Sequence, residues 1–166
     1  MKALVVGGDS MIGSALAAYL HAPATSRRAG SSLQHYELGA SSPSVLPPSD
    51  VVYLVASLTR FRDCEIDPNA YAINVDAQVA IAAHFRKSHI VYISSEAAEW
   101  PNQTAYGSQK RFCELSLLSV CGYDRLCVVR PKKVLPQAVE SLCSYLSHLG
   151  RNRSCGVYRW EWAQAA

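Results

Sequence analysis

A single α/β domain, a doubly wound parallel sheet with helices on both faces, is what the 166-residue sequence predicts, and three observations carry the prediction. Short apolar runs alternate with longer stretches of helical periodicity, the pattern of β-α-β units. A glycine-rich turn, Gly7 to Gly13, directly follows the first apolar run. A Tyr-x-x-x-Lys segment, Tyr106 to Lys110, opens a helical stretch soon after another run ends in Ser94-Ser95. The length suits one domain, residues 1–166. With 49% hydrophobic and 17% charged residues, the chain can bury a core and is no disordered tail.

Ala3 to Val6 reads as the first, fully apolar strand, turning at Gly7-Gly8-Asp9-Ser10 into a helix from Met11 to about His21 that Pro23 stops. A weaker strand, Ala24 to Arg27, follows. From Ala29 to Ser49 the chain is rich in Ser, Pro and Gly and holds at most one short strand, near Tyr36 to Leu38. Asp50 to Val55 is a buried strand. Asp63, Glu65 and Asp67 read as a solvated loop, with Asp67-Pro68 as a helix-start signal. A helix from about Asn69 to Lys87 places Ala72, Val75, Val79, Ala82 and Ala83 at helical spacing. His89 to Ser94 is the next strand, Tyr106 to about Cys121 a helix and Leu126 to Val129 a strand. Gln137 to Leu149 forms a last helix and Gly156 to Trp160 a last strand.

A net charge of +3, with only the short basic pairs Arg27-Arg28 and Lys132-Lys133, gives no nucleic-acid or membrane-surface signature. The six cysteines form no C-x-x-C pair and no zinc spacing, so no metal site is expected; a reducing, cytoplasmic setting fits them best. The four apolar residues at the N-terminus are too few for a signal peptide, and no run is long enough to span a bilayer. The five histidines are isolated and read as surface or element-end residues. Trp100, Trp160 and Trp162 belong either to the core or to a contact surface.

The turn Gly7-Gly8-Asp9-Ser10-Met11-Ile12-Gly13 lies between a strand and a helix, the context in which a glycine-rich turn binds phosphate. Gly7 permits a tight turn, Gly13 permits close helix packing, and the helix start offers N–H groups to a pyrophosphate. After the second strand the sequence reads Thr25-Ser26-Arg27-Arg28. An acid there would bind the adenosine ribose, whereas arginine suits a 2′-phosphate, so NADP(H) is favoured over NAD(H). Tyr106 and Lys110 share one helix face, and a nearby ammonium favours the phenolate. With a serine at the end of the preceding strand, the set is suited to polarising a carbonyl and giving it a proton.

These segments resemble the short-chain dehydrogenase/reductase superfamily, in particular its extended group of nucleotide-sugar epimerases, dehydratases and reductases. The resemblance rests on Gly7-x-x-Ser10-x-x-Gly13, Val51 to Thr59, Asp67-Pro68 with Asn74-Val75, Tyr92 to Ser95, Tyr106 to Lys110, and Val128 to Pro131. It runs in order over about residues 2–136, more loosely beyond. It implies a Rossmann-type fold and a small-molecule carbonyl or sugar-nucleotide substrate. Tyr106 would be the acid/base, Lys110 would hold the nicotinamide ribose and tune Tyr106, and Ser95 would bind the substrate oxygen. Ser94 would support the strand end. Ala56 and Ser57 would line the cofactor ribose, and Asn74 would brace the central helix and strand. The resemblance implies a homodimer through helices near 69–87 and 106–121; Ala80, Ala83, Phe112, Leu115 and Leu118 there are apolar.

Three positions depart from the family pattern. Ser10 stands at the middle glycine, where its side chain either crowds the pyrophosphate or donates to it. Leu38-Gly39 replaces the usual adenine-contacting aspartate. Pro131-Lys132-Lys133 leads almost directly into the last helix and strand, and Tyr106 follows Ser95 by only eleven positions. The expectation is that residues 131–166 are a reduced remnant of the substrate-binding region. The substrate pocket is then open, shared with a second subunit, or absent. A non-catalytic NADP(H)-binding sensor or partner subunit is the alternative, and a scaffold with a vestigial site is a third reading.

Overall fold

In the computed structural model, which describes residues 1–28 and 30–162, all the strand pairings are parallel. The strands are β1 (Ala3–Val6), β2 (Thr25–Ser26), β3 (Gln34–His35), β4 (Val51–Leu54), β5 (His89–Ile93), β6 (Leu126–Pro131) and β7 (Gly156–Trp160). The helices are α1 (Met11–Leu20), α2 (Phe61–Ile66), α3 (Ala77–His84), α4 (Ala105–Cys121) and α5 (Val139–Arg151). Five strands form one sheet in the order β1-β4-β5-β6-β7. The short β2-β3 pair continues it, because Val5 bridges Ala24 and the Gly8 N–H donates to the Thr25 carbonyl at 2.7 Å. The order in which successive strands are added therefore reverses between β1 and β4, creating a crevice beyond their carboxyl ends where such sheets bind ligands.

Strand side chains alternate between two apolar layers, as period-2 geometry requires. Leu4, Val52, Leu54, Ile90, Tyr92 and Val128 face one layer. Val5, Val51, Tyr53, Val91, Ile93 and Val129 face the other. Helices α3 and α4 pack on the first face and α1 and α5 on the second, the doubly wound arrangement expected.

Several elements differ from the sequence reading. β3 lies at Gln34–His35, immediately before Tyr36 to Leu38, and the Tyr36 N–H still pairs with the Ser26 carbonyl at 2.8 Å. The expected loop at 61–66 is α2; Asp67 ends it, its N–H donating to the Asp63 carbonyl. The long helix expected over 69–87 begins with a π-helical turn, Ala72–Asp76, and stops at His84. That wider turn absorbs an extra residue in the helical repeat, which spacing alone does not register. Within the segment 131–166, the expected helix and strand are both present, as α5 (Val139–Arg151) packed on the sheet and β7 (Gly156–Trp160) at its edge; residues 163–166 lie outside the described residues.

His89, at the start of β5, is buried, while the other four histidines are exposed. Trp160 is buried, Trp162 half-buried against the α1/α5 layer, and Trp100 exposed. All six cysteines are free thiols. No helix among the described residues is long and apolar enough to cross a membrane, and none of their His, Cys, Asp and Glu clusters could hold a metal ion.

Candidate functional site

The glycine-rich turn is built around close approaches. Gly7 has φ +107°, and a Cβ on it would stand 2.6 Å from the Ala56 amide nitrogen. A Cβ on Gly13 would stand 1.9 Å from the Gly7 carbonyl oxygen, so the first turn of α1 seats directly on the loop. Ser10, at the middle-glycine position, is the N-cap of α1. Its hydroxyl accepts from the Gly13 N–H at 2.9 Å and donates to the Gly7 carbonyl at 3.1 Å. The hydroxyl is thus engaged within the turn, and the N–H groups of Met11 and Ile12 remain the open donors of the helix start. Met11 itself is exposed, and Ile12 packs its side chain on the α1/α5 layer.

A cavity of about 300 Å³ lies over this turn. Gly7, Ser10, Arg27, Arg28, Ala56 and Ser57 all line it. Thr25, Asp9 and Glu37, which the sequence reading did not select, line it too, with an apolar side of Leu38, Leu58 and Ile73. Thr25 Oγ1 accepts from the Gly7 N–H at 3.1 Å and ties β2 to the loop. The end of β2 has no acid in its own sequence, but the fold brings one there. Asp9, on the glycine-rich turn, accepts a hydrogen bond from Ser26 Oγ, which itself accepts from the Arg28 N–H at 2.9 Å.

At the carboxyl end of β5, Lys110 runs beneath the sheet edge fully buried. Its Nζ donates to the Ile93 carbonyl at 3.0 Å and to Ser57 Oγ at 3.3 Å. It also lies over the rings of Tyr92 and Tyr106, at 4.9 and 5.7 Å. Burial pulls the Lys110 pKa down to about 8. The Tyr106 phenol is pushed up by burial, and the polar side chain of Ser95 draws it partly back. The expected lowering of the phenol by Lys110 is not what the fold produces. The ammonium faces the ring and the strand-end acceptors, and burial sets the direction of the phenol's shift. Phe61 of α2 stacks on Tyr106 with ring centroids 5.2 Å apart. Ser95 caps the short helical turn Glu96–Glu99 by accepting from the Ala97 N–H.

Two buried polar networks hold these groups in place. Asn74, on the π-helical turn, accepts from the Leu58 N–H at 2.8 Å and donates to the Leu58 carbonyl and to Gln109 Oε1. It therefore braces the loop after β4, next to Ser57, against α4. On the other side, Ser94 Oγ donates to Glu114 Oε1 at 2.5 Å. Arg130 grips the same carboxylate with two bonds, 2.9 and 2.6 Å. Glu99 of the 96–99 turn pairs with Arg130 and Arg159. Glu114, Glu99 and Gln109 gave no signal in the sequence, because their partners are supplied by other strands and helices.

Beyond Ser95 and Tyr106 lies a second, shallow cavity of about 440 Å³, bounded by Phe61, Ser95, Trp100, Pro131, Lys132 and Lys133.

No protein-family model and no curated protein matches the chain. Solved structures do match. A dTDP-4-dehydrorhamnose reductase from Bacillus anthracis, in complex with NADP, has a TM-score of 0.77 at 13% identity, over 99% of this chain and 76% of that one. MoeE5, in complex with UDP-glucose and NAD, has a TM-score of 0.78 at 15% identity, over 100% of this chain and 77% of that one. A hypothetical dTDP-4-dehydrorhamnose reductase from Sulfolobus tokodaii has a TM-score of 0.76 at 19% identity, over 96% and 76%. The chain thus has the Rossmann-type fold of these sugar-nucleotide enzymes and of short-chain dehydrogenase/reductase superfamily structures.

Proposed function

We propose that the chain is an NADP(H)-dependent oxidoreductase or epimerase of the short-chain type. It acts on a carbonyl or hydroxyl of a small or sugar-nucleotide-like substrate through Ser95, Tyr106 and Lys110. The observation that carries the reading is the convergence of Tyr106, Lys110, Ser95 and Ser57 at the ends of β4 and β5. That cluster sits between the glycine-turn cavity and the shallow one. The structural neighbours named for reductase activity, one with NADP, support it.

The glycine turn fits a dinucleotide: it has open N–H groups at Met11 and Ile12, a tight Gly7-Gly13 contact, and an apolar wall suited to adenine at Leu38, Leu58 and Ile73. Arg27 and Arg28 would take a 2′-phosphate, and Ser57, Ala56 and Lys110 the nicotinamide ribose. When bound, the nicotinamide supplies or accepts hydride. Tyr106 hands its proton to the substrate oxygen, and Ser95 donates a hydrogen bond to that oxygen. A phenol pKa held up by burial keeps Tyr106 protonated at neutral pH, which suits the reductive direction. Lys110 holds the loop after β4 to the end of β5 and so fixes where the ribose meets the phenol.

The same reading makes 1–166 one dinucleotide-binding domain, with Pro131 to Lys133 as the rim of the substrate side. It makes the protein a cytoplasmic homodimer through the faces that expose Tyr71, Phe112, Leu115 and Val120. The shallowness of the second cavity favours one further reading, a non-catalytic NADP(H)-binding sensor or partner subunit. Thermal shift with NADP⁺ and NADPH oxidation against a panel of small and nucleotide-linked carbonyl compounds test both. Turnover that Tyr106→Phe abolishes supports the enzyme. Binding without turnover supports the sensor, and no shift overturns both.

A further inference from the structure

We propose that Asp9 is a specificity-determining residue that accepts a ribose hydroxyl of the adenosine half and opposes a 2′-phosphate, so that the site admits NAD(H) beside NADP(H). The inference rests on the reading that the glycine-turn cavity holds a pyridine dinucleotide.

In chain order the end of β2 offers only Ser26, Arg27 and Arg28, which alone favours a phosphate ester. The fold adds a carboxylate from a separate segment. Ser26 is 2% exposed, and its hydroxyl is oriented by accepting from the Arg28 N–H at 2.9 Å, so its proton is directed at Asp9 Oδ2. The carboxylate is thereby fixed over the strand end while remaining exposed on the cavity wall. Oδ1 has no hydrogen bond among the described residues and is the free acceptor. An ionised carboxylate accepts from a hydroxyl but repels a phosphate dianion. The wall thus carries both signs, Asp9 and Glu37 against Arg27 and Arg28, and the preference is set by their balance.

Asp9→Asn isolates the charge, because an amide oxygen still accepts from Ser26 and the side chain keeps its shape. Titration of wild type and variant with NAD⁺ and with NADP⁺ at low ionic strength tests the proposal. The expected result is a shift of the affinity ratio toward NADP⁺ by at least about fivefold, shrinking as salt is raised. Both nucleotides bound with a ratio within about twofold of wild type at low salt overturns the role of Asp9 and leaves the dinucleotide reading standing. Neither nucleotide bound by the wild-type chain overturns both.

Discussion

The buried ammonium of Lys110 donates to the backbone carbonyl of Ile93 at 3.0 Å, so the residue that opens toward Ser57 on one side also ties α4 to the end of β5 on the other. A cation enclosed in this way is costly to keep charged, and the depressed pKa of about 8 expresses that cost.

The first prediction follows from that linkage. Below pH 8 Lys110 is charged in both states and the folded protein bears the burial penalty; between pH 8 and 10.5 the unfolded chain holds the extra proton, so folding gains as pH rises. Lys110→Met removes this term. Urea unfolding at pH 7 and pH 10 should show wild type gaining about 2 kcal/mol on the variant across that interval. A pH-independent gap would refute it.

Tyr106→Phe keeps the ring stacked on Phe61 and removes only the hydroxyl. Carbonyl reduction should fall by roughly a hundredfold or more, with nucleotide affinity nearly unchanged. Stopped-flow and equilibrium titration separate the two effects.

Glu114→Gln breaks the twin hydrogen bond to Arg130 and leaves a guanidinium whose side chain is 11% exposed with a weaker partner. Stability should drop by about 3 kcal/mol in denaturant unfolding. Turnover should fall as well, because Ser94 and the turn bearing Ser95 lose their common anchor.

Gly13→Ala puts a methyl group 1.9 Å from the Gly7 carbonyl oxygen. The turn must open, costing about 3 kcal/mol, and binding of either dinucleotide should weaken together.

Much of this architecture could be read in the chain itself. The apolar runs at Ala3, Val51, His89 and Leu126 announced strands because a strand buried on both faces needs no polar alternation. Tyr106 and Lys110 could be paired because four residues make about one helical turn. What escaped were α2 and the π-helical turn, and β3 lies about two residues before the expected strand; these are short elements whose residues take their conformation from neighbours rather than from their own periodicity.

The amino-acid order determined the alternation of strands and helices, the glycine turn, and the spacing of the phenol and the amine, all of which depend on residues near one another in the chain. The tertiary structure decided what depends on partners far apart in sequence. It set the direction in which the Tyr106 and Lys110 pKa values move, because desolvation is set by everything packed around a group. It also gave Glu114 its arginine and brought the carboxylate of Asp9 to the end of β2. Those contacts exist only once the sheet has closed and distant segments share one low-dielectric space.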